Sequence, residues 1–285
     1  MKYIVTGGAG FIGSHLVDTL IGLGHNVVVV DNLLCGFEKN INPAAVFHNC
    51  DIRKPDTFVE HFRDADGVFH LAAIARTPWC VDDPILAYET NVMGTLNVLE
   101  ACRTHKVKRV VMTSSNVVYA FWTPYRSSKE SLEQLGRVYT DMYGMSVVCL
   151  RNSNVYGTRQ SELGPSPNVF SALRKSKKEN GYVMISGDGS QSRDFTHVSD
   201  IVSGHIAAMN KTVTGVFDLC TGVNHTLNEV ASYFDCEIRY GPDRPGDVKH
   251  IVQDPIPAFE QLGWKANVGL EAGMKNFLSD ASYSC

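Results

Sequence analysis

Thr6-Gly7-Gly8-Ala9-Gly10-Phe11-Ile12-Gly13-Ser14 follows the apolar run Tyr3-Ile4-Val5 and precedes a helical pattern on Leu16, Val17 and Leu20. The order is strand, glycine turn, helix, which is the local frame a dinucleotide's diphosphate requires. Gly7 permits the tight turn, Gly10 lets a diphosphate approach the backbone, and Gly13 lets the helix pack closely on the strand. The N–H groups of the helix N-terminus, at Phe11 and Ile12, then face the anion. Glycine turns also end ordinary strands, so the flanking elements have to carry the rest of the argument.

The second strand does so. Val27-Val28-Val29-Val30-Asp31 is a continuous β-branched run, the pattern of a strand buried on both faces of a parallel sheet, and it ends in an acid. Asp31 stands eighteen positions after Gly13, near the spacing at which a carboxylate receives a ribose 2′-OH. A carboxylate there repels a 2′-phosphate, so the expected cofactor is NAD rather than NADP. The alternative is a solvated aspartate at a strand end.

The chain has 285 residues, 44% of them hydrophobic, with a formal net charge of -4. That length suits one large α/β domain or a cofactor domain with a smaller lobe. The charge gives no reason to expect nucleic acid or an anionic membrane as a partner. Eight dispersed cysteines without a CxxC or zinc spacing read as reduced thiols of a cytoplasmic protein. No metal site is expected. No apolar run reaches membrane-spanning length, and the N-terminus reads as a strand rather than a signal peptide.

Further strands are expected at Val46-Phe47-His48, from Val68 to Ala73, from Arg109 to Thr113 and from Ser146 to Leu150. Helices are expected over residues 55 to 63, after Pro84, and near 168 to 178, 198 to 209 and 226 to 234. Alternating strands and helices predict a doubly wound, Rossmann-type parallel sheet with right-handed crossovers and ligands beyond the strands' C-terminal ends. The expected division is an NAD-binding domain over 1–151 and a mainly substrate-binding lobe over 152–285, in which a segment can return to the sheet.

Tyr125 and Lys129 open a helix and share one face at a spacing of four. Ser115 ends the preceding strand, at the edge where the cofactor is expected. To act as a base near neutrality, a tyrosine of pKa near 10 must fall by about three units, roughly 4 kcal/mol. The ammonium of Lys129 and the cationic ring of NAD are the two charges that could lower it. The same pair on an exposed helix could instead be structural.

The ordered set TGGAGFIGSHL, VDN, FHLAA, NVMGT, TSS, YRSSK, NVYG, RDFTHVSD, RPGDV and LGWK resembles the extended short-chain dehydrogenase/reductase family, in particular its nucleotide-sugar epimerases and dehydratases. The resemblance runs from Lys2 to about Lys275. It implies a catalytic set of Ser115, Tyr125 and Lys129, with Tyr125 and Lys129 also contacting the cofactor. Asp31 and Asn32 would bind the adenosine ribose, with Gly36 of the same loop among the cofactor contacts. Asp51 and Ile52 would flank adenine, Leu71, Ala72 and Ala73 would line the channel, and Asn91 would support its loops. On the substrate side it implies Ser115 at the sugar, Asn154 at the sugar or diphosphate, Asn168 and Val169 at the nucleotide, Arg193 and Arg244 at the diphosphate, and Asp247 at the nucleoside. A surface salt bridge is the alternative for either arginine. It also implies a homodimer.

Dehydratases of this family carry an acidic pair after the catalytic hydroxyl residue. Here those positions are Asn116 and Val117, neither of which can perform that proton transfer. What remains is oxidation of a nucleotide sugar at C4 and return of the hydride to the opposite face, with UDP-glucose and UDP-galactose as the expected substrates. Two alternatives stay open: a nucleotide-sugar reductase or dehydrogenase with net redox turnover, and a non-catalytic NAD or nucleotide-sugar binding protein. Three positions depart from the family pattern. Tyr125 follows Ser115 by only ten positions, Ser186 stands where an aromatic often stacks on the base, and Asn152 and Ser153 replace two aromatics before Asn154.

Overall fold

The computed structural model describes residues 1–161, 168–243 and 248–280. Its strands are β1 Lys2–Thr6, β2 Asn26–Asp31, β3 Val46–Asn49, β4 Gly67–His70, β5 Arg109–Ser115, β6 Ser146–Asn152, β7 Asn154–Tyr156, β8 Tyr182–Ser186, β9 Ser192–His197, β10 Gly215–Leu219, β11 Asn224–Thr226 and β12 Glu237–Gly241. The α-helices are α1 Phe11–Gly22, α2 Thr77–Asp82, α3 Pro84–Tyr88, α4 Gly94–Thr104, α5 Pro124–Tyr143, α6 Val169–Asn180, α7 Val198–Met209, α8 Leu227–Ser232, α9 Ile256–Leu262 and α10 Leu270–Ser279.

Seven strands form a parallel sheet in the order β10-β6-β5-β4-β1-β2-β3, a Rossmann-type doubly wound arrangement. The order reverses between β1 and β4, which opens a crevice at their C-terminal ends. The valines of β2 are buried because the sheet is covered on both faces. Val27 and Val29 join Leu16, Leu20, Ile201 and Val202 on one side, while Val28 and Val30 join Val98, Leu99 and Leu132 on the other.

Beyond β6 the chain builds a second cluster around Tyr156, Phe170, Phe195, Phe234 and Phe277, with a three-stranded β11-β9-β7 sheet and a parallel β12-β8 pair. Two later pieces go back to the large sheet. The helix α7 packs its Val198, Ile201 and Val202 into the first core, and β10 pairs with β6 from Gly215↔Val148 to Leu219↔Asn152.

Two local expectations need correction. Residues 55 to 63 form two 3₁₀ turns, Pro55–Thr57 and Val59–Phe62, rather than one helix. The segment has to reverse into β4 within a few residues, with Asp64 at φ 57, and burying Phe58 and Phe62 holds it without a regular helix. The helical run after Pro84 contains a π-turn at Glu89–Met93 between α3 and α4. The wider turn sits at Thr90 and Asn91, both of which are buried.

Candidate active site

The glycine turn is built by close approach. Gly7 has φ +74 and donates to Val30 O at 2.9 Å; a Cβ there would stand 2.6 Å from Ala72 N. A Cβ on Gly13 would overlap the Gly7 carbonyl oxygen. No side chain caps α1, and the helix's hydrogen bonding begins with Ser14 N–H to Gly10 O at 3.0 Å. The N–H groups of Phe11, Ile12 and Gly13 are thereby left for an anion.

Asp31 is buried at the end of β2 and accepts from Ala9 N–H at 3.0 Å and Leu33 N–H at 2.8 Å. Burial raises its pKa and these two bonds hold it down. The cleft between the turn and β4 is lined by Gly7, Gly10, Asp31, Asn32, Gly36, Ile52, Leu71, Ala72 and Ala73, together with Cys35 and Thr90. Thr90 Oγ1 is buried with no hydrogen-bond partner among the described residues. An open helix N-terminus, a ribose-height carboxylate and a spare hydroxyl fit a dinucleotide.

Two expected cofactor residues stand behind this wall. The Asp51 carboxylate is bound bidentately by Arg53, which lowers its pKa. Asn91 accepts from Ile74 N–H at 2.8 Å and donates to Ile74 O and Ser128 Oγ, both at 3.0 Å. One amide thus ties the cleft wall to the helix α5.

That helix starts cleanly because Thr123 accepts Arg126 N–H at 3.1 Å and Pro124 occupies its first turn. Tyr125 is consequently held in the first turn, where its hydroxyl hydrogen-bonds Ser115. Ser115 Oγ also accepts Val117 N–H at 3.2 Å. Burial pushes the Tyr125 phenol up to about 12, the Ser115 bond opposing it. Lys129 is buried too, and desolvation takes its ammonium down to about 8. The protein alone therefore does not lower the tyrosine as expected: burial outweighs the Ser115 bond, and Lys129 Nζ donates to Thr113 O at 2.7 Å rather than to the phenol.

A polar network backs the helix. Arg151 donates to both carboxylate oxygens of Glu133 at 2.8 and 2.7 Å, Ser114 Oγ donates to Glu133 at 2.5 Å, and Arg151 also reaches Tyr119 Oη at 2.6 Å. Tyr119 in turn donates to Asp218 of β10.

Several of the expected substrate residues hold partners within the protein. Asn154 donates to Asp194 O at 3.1 Å, and Asn168 caps α6 by accepting Ser171 N–H. Val169 lines a separate apolar pocket with Leu173, Ile185, Ser186 and Leu227. Arg193 donates to the carbonyls of Ser192 and Lys249. Arg244 and Asp247 lie outside the described residues. Phe121 and Trp122 are 64% and 65% exposed in the short loop before Tyr125, with the Arg126 guanidinium stacked 4.0 Å over Trp122.

Sequence reasoning missed Arg76. It is partly buried, its charge is felt by Cys35 and Tyr125, and no ion pair is formed by it among the described residues. An arginine three residues beyond the small-residue exit of β4 was the available signal.

Comparison with known proteins gives a consistent picture. The sequence model of the NAD dependent epimerase/dehydratase family matches residues 3–220. A putative UDP-glucose 4-epimerase of Methanocaldococcus jannaschii is 36% identical over 298 residues, covering 97% of each chain. The crystal structure of UDP-glucose 4-epimerase with UDP-glucose from Thermotoga maritima is 34% identical with a TM-score of 0.93, over 100% of this chain and 98% of that one. The UDP-glucose 4-epimerase of Thermus thermophilus, solved in complex with NAD, is 32% identical with a TM-score of 0.88, over 98% of both chains.

Proposed function

The chain belongs to the NAD dependent epimerase/dehydratase family, and from that premise we propose that it epimerises UDP-hexoses at C4, interconverting UDP-glucose and UDP-galactose. It is an NAD-dependent nucleotide-sugar epimerase. The observation that carries the reading is the half-buried Ser115 at the end of β5, hydrogen-bonded to buried Tyr125 with buried Lys129 one helical turn on, in a fold whose glycine-turn cleft fits a dinucleotide.

Gly7, Gly10 and the N–H groups of Phe11, Ile12 and Gly13 hold the cofactor diphosphate, with Arg76 adding a cation. Asp31 and Asn32 take the adenosine ribose. When bound, NAD supplies a reversible hydride acceptor. Tyr125, as phenolate, removes the proton of the sugar's C4 hydroxyl, while Ser115 hydrogen-bonds that oxygen. Lys129 keeps a positive charge nearby, so that the phenolate is accessible. The 4-keto sugar then turns over, and Tyr125 returns the proton to the oxygen on the new face. The Val169–Leu227 pocket takes the nucleotide base, and Arg193 and Arg244 take the substrate diphosphate. Asn116 and Val117 supply no acid or base, so water is not eliminated.

A homodimer accompanies this reading. The surface of α3, the π-turn and α5 carries exposed Ile85, Met93, Val138 and Met142, an apolar set suited to a second copy of the same surface. Among the described residues no helix is long and apolar enough to cross a membrane. The seven described cysteines are free, which supports a reducing, cytoplasmic setting.

The deciding experiment follows UDP-galactose by NMR with the purified chain and NAD. Appearance of UDP-glucose without net NADH is expected. Stoichiometric NADH would assign the chain to a dehydrogenase instead. Running UDP-N-acetylgalactosamine in parallel defines the substrate range.

A further inference from the structure

One buried side chain beside the catalytic residues has no hydrogen-bond partner among the described residues. Asn152 is the last residue of β6, in register with Ser115 of β5 on one side and Leu219 of β10 on the other. Register-matched residues of neighbouring parallel strands project from the same face, so the Asn152 side chain stands about 4.8 Å, one strand spacing, along the sheet from Ser115. It is 4% exposed, and among the described residues neither its Oδ1 nor its Nδ2 has a hydrogen-bond partner. Asn116 and Gln253 nearby each leave only one amide atom unpaired. Because both ends of Asn152 are unsatisfied, exchanging its oxygen and nitrogen would not relieve it. Interiors seldom leave a whole amide unsatisfied, so the group points to a ligand that offers a donor and an acceptor together.

The NAD of the proposed epimerisation supplies one. Hydride exchange at the carbon whose hydroxyl meets Ser115 and Tyr125 requires the nicotinamide ring to lie beside those residues, at the ends of β5 and β6. The ring's hydrogen-bonding substituent is a carboxamide, one C=O and one NH₂, the complement of an asparagine side chain. A sugar hydroxyl can satisfy one end of Asn152, whereas a carboxamide satisfies both with a single group. Resting on that reading, we infer that Asn152 pairs through its side-chain amide with the carboxamide of the NAD nicotinamide ring. The pairing selects which face of the ring is turned toward the sugar. Leu219, on the far side of Asn152, is buried and gives the carboxamide no competing partner there.

The test compares NAD with ADP-ribose, which lacks the nicotinamide ring, by titration calorimetry on the full-length chain. Wild type, Asn152→Ala and Asn152→Leu are measured. Leucine keeps the volume and removes both unsatisfied atoms, so this variant is expected to fold with a Tm at or above wild type. In both variants the Kd of NAD rises about tenfold while that of ADP-ribose stays within about twofold. The 3-acetylpyridine analogue of NAD, in which a methyl replaces the carboxamide nitrogen, binds wild type more weakly than NAD but binds Asn152→Leu as well as NAD does. An NAD to ADP-ribose affinity ratio unchanged in Asn152→Leu overturns the inference and leaves the epimerase reading standing. Equal losses for both ligands overturn it as well. A wild-type chain that binds neither ligand overturns the cofactor reading and this inference together.

Discussion

The ammonium of Lys129 stands 6.0 Å from the centre of the Tyr125 ring and spends its hydrogen bond on the Thr113 carbonyl. Its hydrogen bond goes to the backbone rather than to the phenol, and both groups are desolvated. The protonated amine is the useful form, and burial leaves it a pKa of about 8. With UDP-galactose as substrate, kcat/KM is therefore expected to fall as pH rises through about 8. Stability moves the other way. The folded value lies below the unfolded one, so between about 8 and 10.5 the unfolded chain binds more protons, and Lys129's contribution to stability grows with pH. A rate profile flat to pH 10 would remove the charge of Lys129 from the mechanism.

Tyr125→Phe deletes the proton carrier and keeps the ring that packs with Ile74, Cys80 and Ala87. Epimerisation should drop by about 10³-fold, within the usual range for a general acid-base. NAD binding and Tm should change little. Retained turnover above a tenth of wild type would assign the proton transfer to another group.

Glu133→Gln leaves the Arg151 guanidinium, 24% exposed at its side chain, without its carboxylate. Unpairing one member of a largely buried ion pair is strongly destabilising, and residual contacts to Tyr119 moderate it here, so a loss of roughly 2–3 kcal/mol in urea unfolding is expected. The double variant with Arg151→Met should recover part of that loss. Additive losses would mean that the two residues do not work as a pair.

Two buried histidines set the acid limit. His205 donates Nδ1–H to Ile201 O at 2.8 Å and accepts from Thr113 Oγ1, and burial lowers its pKa to about 4. His70, between the hydroxyls of Thr6 and Thr95, is lowered to about 3. Both stay neutral in the fold and gain protons in the unfolded chain below 6.5. Stability should thus fall as pH drops from 6.5 toward 4, by up to about 1.4 kcal/mol per pH unit for each. His205→Gln should flatten that slope in urea titrations between pH 6.5 and 4.5; an unaltered slope would place the acid sensitivity elsewhere.

Met142, 73% exposed on α5, tests the assembly. Light scattering on the wild-type chain should give the mass of two copies, and Met142→Glu should shift the population toward one copy. A monomeric wild type at micromolar concentration would end the dimer proposal.

The first half of the fold was legible because its signals are local. A glycine turn between β1 and α1, four valines and an acid in β2, and a Tyr–Lys pair at helical spacing each carry their own geometry. Later features depend on distant partners. Gly215-Val216-Phe217-Asp218-Leu219 is too short to announce that it pairs with β6. The π-turn around Asn91 is an adjustment of the helix where Asn91 bonds Ile74 and Ser128, which no periodicity encodes. Asn154 and Asn168, expected at the substrate, spend hydrogen bonds on Asp194 and on the cap of α6. The pairing of Arg151 with Glu133 becomes visible only once β6 lies beside α5.

The return of β10 to the edge of β6 also orders events during synthesis. Everything between Ser153 and Thr214 leaves the ribosome before the strand that finishes the large sheet, and until then β6 presents an open, apolar edge to solvent. A chain halted near residue 152 would carry the glycine turn, Asp31 and the catalytic trio yet lack the last strand of its sheet. Such a fragment should aggregate rather than bind its cofactor, so the molecule matures as one unit instead of a nucleotide-binding module with a detachable cap.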